Sequence, residues 1–379
     1  MPSRWEFVEG WGMAVGAHER VYRPRDVEDL RTLLTDAARE GVTLGPRGSG
    51  CSYGDASVNE LGHAVELSGM RRILAFDETT GFIDVEAGVT IEQLWKFLLP
   101  RGFWPKVVSG TMYPTVGGAA AMNIHGKNNF AVGTFGDAIL DFDILLPSGE
   151  LRRCSRQEDA DLFHAAIGGL GMLGFLVRAR LKTTRVHSGE LEVTGVSTRN
   201  LRETMEYFEA HRATSDYLVG WVDCFAGGDD LGRGLIHDAR YLAPGEDPEP
   251  ERTLTIAHQE LPPSILGFPK SEVWRMLRLF NHDPGMRFVN WAKFHAGRLE
   301  GMGEPYRQPH AAFAFLLDYV PNWKWAYGRR AGRGLIQYQA FVPDAAALAT
   351  YEEILVRSQA GGHAPYLPVF KRHPPGPVW

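Results

Sequence analysis

The order of patterns along these 379 residues predicts an α+β chain built from two units. Three observations lead there. The first half alternates helical and strand-like periodicities. From about Val186 strand-like runs are separated by longer helical or irregular stretches. The length also exceeds one ordinary domain. With 44% hydrophobic and 23% charged residues the chain has the composition of a folded globular protein.

Val27 to Glu40 sets Val27, Leu30, Leu33, Leu34, Ala37 and Ala38 near a 3.6-residue period, which predicts an amphipathic helix with Asp26 as N-cap. Val42 to Gly45 reads as a short strand entering a glycine-rich turn. Ala64 to Leu67 and Gly81 to Glu86 predict strands, and Val89 to Leu99 a second helix. Ala138 to Leu146 is a strand closed by Pro147-Ser148-Gly149, and Asp159 to Ile167 a short helix. Two small mixed units packed together would give this order. In the second half Tyr217 to Phe225, Thr253 to His258, Ala311 to Tyr319 and Gly334 to Phe341 predict strands of an antiparallel sheet with flanking helices. Ala243 to Pro250 is a turn-rich loop.

The net charge of −6 argues against a nucleic-acid partner, which would call for clustered Lys and Arg. Cys51, Cys154 and Cys224 are far apart and lack CxxC spacing, so neither a disulfide framework nor a metal site is expected. No signal-like apolar run or stretch of transmembrane length is present. A cytoplasmic setting is the expectation, with peripheral membrane contact left open.

Three glycine-dense stretches stand out. The first, Gly45-Pro46-Arg47-Gly48-Ser49-Gly50-Cys51-Ser52-Tyr53-Gly54-Asp55, follows a strand. Its backbone N–H groups could converge on an anion such as a pyrophosphate, or it could be a solvent-exposed turn. The second runs from Ser109-Gly110-Thr111 through Thr115-Val116-Gly117-Gly118 and three alanines to Asn123-Ile124-His125-Gly126-Lys127-Asn128. A surface so poor in side-chain bulk admits a flat ring or a second backbone, and polar groups follow at once. Tight packing with a buried, hydrogen-bonded His125 would give the same pattern. The third, Gly168 to Gly174, leads into a strand and could meet another part of a nucleotide or be a crowded turn.

These stretches, in this order and spacing, resemble the FAD-binding half of the vanillyl-alcohol-oxidase superfamily, and in particular its polyprenyl-phosphoryl-ribose 2-oxidases. The strings Ile124-His125-Gly126-Lys127-Asn128, Asp318-Tyr319-Val320-Pro321-Asn322-Trp323, Gln337-Tyr338-Gln339 and Val369-Phe370-Lys371 carry the likeness into the second half. The resemblance implies a two-subdomain FAD-binding domain over residues 1–185 and a substrate (cap) domain over 186–365. Residues 366–379 would begin a return segment to the FAD domain, apparently cut short. It implies FAD held by Arg47, Gly48, Ser49, Gly50, Cys51, Ser52, Tyr53, Gly110, Thr111, Thr115, Gly117, Gly118, Asn123, His125 and Gly174. Tyr53, Lys127, Tyr319, Gln337 and Tyr338 would contact substrate, while Lys371 and His125 would be catalytic. Strand alternation sets Tyr338 on the opposite face from its neighbours. Covalent members attach flavin through a histidine in the first loop or a cysteine before Pro-Thr in the second. Cys51 and Tyr113 stand there, so non-covalent FAD is expected.

The activity implied is oxidation of a secondary alcohol on a small or lipid-linked sugar, the hydride passing to flavin N5. A separate ketoreductase would be a possible partner. An alditol or aldonolactone oxidase yielding peroxide is the alternative within the superfamily. A flavin-fold binding subunit without turnover is the alternative outside enzymology.

Overall fold

The protein is described here by a computed structural model covering residues 1–265, 267–299, 303–328 and 334–374. Helices and sheets are mixed along the chain, so the architecture is α+β. The helix Val27–Glu40 begins where Asp26 accepts the backbone N–H of Asp29 at 2.9 Å, and it buries Leu30, Leu33 and Ala37. A side-chain cap of this kind contributes about 1 kcal/mol. Thr90 and Gln93 form a reciprocal capping box at the start of Ile91–Leu98.

Four strands form the first sheet in the order Ser3–Glu9, Gly16–Tyr22, His63–Glu66, Leu44–Arg47. The first pair is antiparallel, and the other two pairings are parallel. A second, antiparallel sheet runs Ile73–Asp77, Phe82–Glu86, Phe175–Arg185, Ile139–Leu145, Leu151–Ser155, with Phe103–Pro105 pairing the far end of Phe175–Arg185. The large core between these sheets and helices Ile91–Leu98 and Val116–Ala121 is filled by buried side chains such as Ile83, Leu94, Trp104 and Phe142.

The third sheet is also antiparallel, in the order Pro305–Pro309, Glu190–Thr198, Gly234–Tyr241, Tyr217–Val222, Val369–Phe370. Helix Leu201–His211 covers one face of it, through Phe208 against Leu218 and Ile236. Helix Asp283–Leu299 covers the other, through Phe294 against Trp221 and Leu235.

Three expected strands are not formed. Thr253 to His258 is instead the end of a short helix, Pro250–Thr253, followed by a 3-10 turn. Pro250 is pre-set for a first helical turn, and the Thr253 hydroxyl donates to buried Asp247 at 2.5 Å. Ala311 to Tyr319 is the helix His310–Ala314 and a 3-10 turn. A short apolar run of this kind fits a buried helix as well as a strand, and its alanines favour the helix. Residues 334–341 form no strand or helix and join no ladder among the described residues; Leu335 instead donates its N–H to Gly12 O at 2.6 Å.

Candidate active site

The three glycine-dense stretches meet in one cleft, lined by Gly48 and Ser52, by Thr115, Gly117 and Gly118, and by Gly171 and Gly174. Two contacts show why side chains are excluded there. A Cβ on Gly48 would lie 2.4 Å from Thr115 Oγ1, and one on Gly171 would lie 2.6 Å from Pro46 Cγ. Loop one therefore touches loops two and three across glycine. Thr115 also caps the helix Val116–Ala121, accepting Gly118 N–H at 3.1 Å. The third loop is fastened to that helix by Gly168 N–H to Ala120 O and Leu170 N–H to Ala121 O, at 3.0 and 2.9 Å.

The backbone N–H groups of Ser49, Gly50, Cys51 and Ser52 have no acceptor among the described residues. Successive donors in a tight turn form a concavity for an anion. Arg47 lines the cleft, but its guanidinium donates to Ser57 O and Oγ and to Glu9 O, at 2.8, 2.9 and 3.1 Å. It holds the loop's shape. Burial and the Asp318 carboxylate push the Cys51 thiol up to about 11, so it stays protonated. The Tyr53 ring packs on Trp11 at 4.9 Å, and burial raises its hydroxyl to about 12. Asn123 adopts φ 41° and accepts Gly136 N–H at 2.9 Å, which turns the chain out of the helix toward His125.

Gly110 and Thr111 meet the second half of the chain. Gly110 O accepts Leu317 N–H at 3.0 Å, while Thr111 Oγ1 and Met112 N–H each donate to Asp318 at 2.8 Å. Burial nevertheless lifts the Asp318 carboxyl to about 6.

A second group of polar side chains follows Asn123. His125 is half-buried; its Nε2 lies 2.9 Å from Gln339 Nε2, and its Nδ1 is buried with no partner among the described residues. Burial, then Lys371 and His373, depress its pKa to about 3, so the imidazole is neutral. Lys371 donates to His125 O at 3.4 Å, and burial lowers its ammonium to about 8. Lys127 donates to the carbonyls of Phe313 and Ala314, and burial with Lys371 nearby pushes its pKa well below the usual lysine value. The structure thus brings His125, Lys127 and Lys371 together. Tyr319 lies apart, 39% exposed beneath the Lys270 ammonium. Gln337 and Tyr338 are exposed, and Gln339 reaches His125 in their place.

Sequence reasoning gave no role to Asp318, Gln339, His373 or Trp11. An acid at the end of the apolar run Phe313 to Leu317 was a usable signal for Asp318, since a carboxylate there must find donors. No local signal marks Trp11, whose ring sits between Tyr53 and Trp323.

The cradle agrees with what known proteins show. Residues 18–155 match the FAD binding domain family. The chain is 31% identical to decaprenylphosphoryl-β-D-ribose oxidase of Mycolicibacterium smegmatis over 99% of its own length and 79% of that protein. It belongs to that family of FAD-binding oxidases. Two other enzymes are similar to part of the chain. D-arabinono-1,4-lactone oxidase of Yarrowia lipolytica is 30% identical over 46% of this chain and 34% of its own length. Cytokinin dehydrogenase 3 of Oryza sativa is 30% identical over 42% and 31%. Membership of this oxidase family makes FAD the cofactor and the chain an oxidoreductase acting on a CH–OH group. The orphaned donors of residues 49–52 and the glycine-lined cleft fit a dinucleotide's pyrophosphate.

Proposed function

We propose that this oxidase removes a hydride from a secondary carbinol of a sugar carried on a polyprenyl phosphate. The convergence of three side-chain-poor loops beside His125, Lys127 and Lys371 is the observation that carries the reading. FAD, when bound, supplies the hydride acceptor. Gly48 to Ser52, Thr115, Gly117, Gly118 and Gly174 hold it without a covalent link, because Cys51 and Tyr113 occupy the attachment positions of covalent relatives. Lys371 places a cation where negative charge grows and orients the substrate hydroxyl, and neutral His125 positions the sugar. The layout proposed is an FAD domain over 1–185 and a substrate domain over 186–365, with 366–374 leading back; residues 375–379 lie outside the described residues.

No helix among the described residues is long and apolar enough to cross a membrane. We propose that a lipid surface is met peripherally through helix Asp283–Leu299 and the turn before it. Phe280, Phe288 and Trp291 stack in series at 6.1 and 6.2 Å, and Leu279 and Leu299 are 74% and 85% exposed. Arg275, Arg278 and Arg298 flank this stripe, as suits an anionic bilayer. The double variant F288E/W291E should lose co-sedimentation with phosphatidylglycerol vesicles; undiminished binding overturns the contact.

The reaction is tested by anaerobic titration of the flavin-loaded protein with lipid-linked pentoses, free polyols and aldonolactones. Bleaching of the yellow band by the lipid-linked sugar is expected. Bleaching by lactones alone, with peroxide formed in air, would move the assignment to an aldonolactone oxidase. No bleaching by any alcohol would make the chain a flavin-binding subunit.

A further inference from the structure

Basic side chains gather beside one face of the third sheet with no carboxylate paired to them among the described residues. In the antiparallel register His237 stands opposite Val219, and Leu235 opposite Trp221. Residues two apart on a strand share a face, so His237 and Trp221 look the same way. The ammonium of Lys293, on helix Asp283–Leu299, lies over the Trp221 ring at 4.4 Å. Lys127 enters the same space from the flavin side. Its carbonyl accepts Leu218 N–H at 3.0 Å, and its ammonium sits 4.5 Å from the Phe313 ring. Burial, then Lys127 and Lys293, lower the His237 pKa to about 4, and Lys371 bears on Lys127 in the same way.

None of Lys127, Lys293 or Lys371 forms an ion pair among the described residues, and no carboxylate is among the groups shifting them or His237. Asp238, the acid next in sequence, turns to the other face and accepts the Tyr207 hydroxyl at 3.0 Å. Gathering cations in a partly desolvated cleft costs free energy unless an anion joins them. Lys127 uses two carbonyls, which leaves one of its three N–H donors, and neutral carbonyls do not cancel its charge. Lys293 is exposed, so a ligand can reach it, while the protein packed around its ammonium lowers it to about 8.

We infer that Lys127, Lys293 and His237 form a phosphate-binding subsite that seats the phosphodiester next to the sugar of the substrate. This rests on the reading of the chain as an oxidase of a phosphate-linked sugar, and it adds two residues, His237 from the third sheet and Lys293 from the helix that covers it. The same chemistry would accept free phosphate as an effector, so the test separates the two sources.

The flavin-loaded full chain is titrated calorimetrically, at constant ionic strength, with inorganic phosphate, ribose 1-phosphate and ribose. Wild type should bind ribose 1-phosphate saturably, at least tenfold tighter than ribose or phosphate alone. Lys293→Ala should weaken that binding at least tenfold, Lys293→Arg should restore most of it, and the bound-flavin spectrum should not change in either. On binding, the His237 imidazole should titrate at higher pH by NMR. Equal affinity of wild type and K293A for ribose 1-phosphate overturns the subsite. Phosphate binding as tightly as ribose 1-phosphate overturns its assignment to substrate. A protein that holds no flavin yet shows the K293A effect would overturn the oxidase reading and leave the anion site standing.

Discussion

Gly48→Ala tests the cradle where its first two loops touch. The added Cβ would lie 2.4 Å from Thr115 Oγ1, far inside contact distance. Two responses are open to the chain. Thr115 can rotate away and surrender its bond from Gly118 N–H, a cap worth about 1 kcal/mol. Alternatively the loops separate, at the roughly 1–3 kcal/mol typical of overpacking. Both residues line the cleft, so either response distorts the lining itself. The smaller cost, about 1 kcal/mol, already corresponds to about fivefold in a dissociation constant. G48A should therefore bind FAD at least fivefold more weakly in fluorescence titration of the flavin-stripped protein. Gly54→Ala is the control, because nothing lies within 4 Å of a Cβ there. FAD affinity of G48A equal to that of G54A would refute the reasoning.

Other outcomes follow from the same geometry. Lys371→Met should slow anaerobic flavin reduction by roughly a hundredfold or more while FAD is retained, as removal of a preorganised charge does; an unchanged rate removes Lys371 from the chemistry. Burial raises Asp318 to about 6, so the folded state holds its proton where the unfolded chain has released it. That contribution to stability is complete below about pH 4 and is lost as pH rises through 6. Asp318→Asn should flatten this part of the stability profile measured by urea unfolding, and an unaltered profile would contradict the assignment. Acid precipitation should release all the yellow colour to the supernatant; colour kept in the pellet would mean that a covalent link forms.

Much of the cradle was legible because glycine reports a local backbone requirement. Gly48 and Gly174 mark positions where a side chain would collide and Gly117 one where it would be tight, and three such stretches in order suggest a single ligand. The helix Val27–Glu40 was legible for a comparable reason, since its cap and its period coincide. The third sheet was harder to read. Its central strand Gly234–Tyr241 carries His237, Asp238, Ala239 and Arg240, residues that favour no strand by themselves. Pairing on both sides decides its conformation, and pairing is invisible locally. His237 and Lys293 were missed with it. Their meaning lies in sharing a face, which requires the register. Ala311 to Ala314 failed for the opposite reason: a buried apolar run satisfies either conformation until its surroundings choose.

The most direct test of a cradle for one extended dinucleotide compares FAD with FMN in equilibrium titrations of the flavin-stripped protein. FAD should bind one per chain, and FMN, which lacks the pyrophosphate bridge and the adenosine half, at least a hundredfold more weakly. Equal affinities would mean that the three loops do not clasp the same molecule.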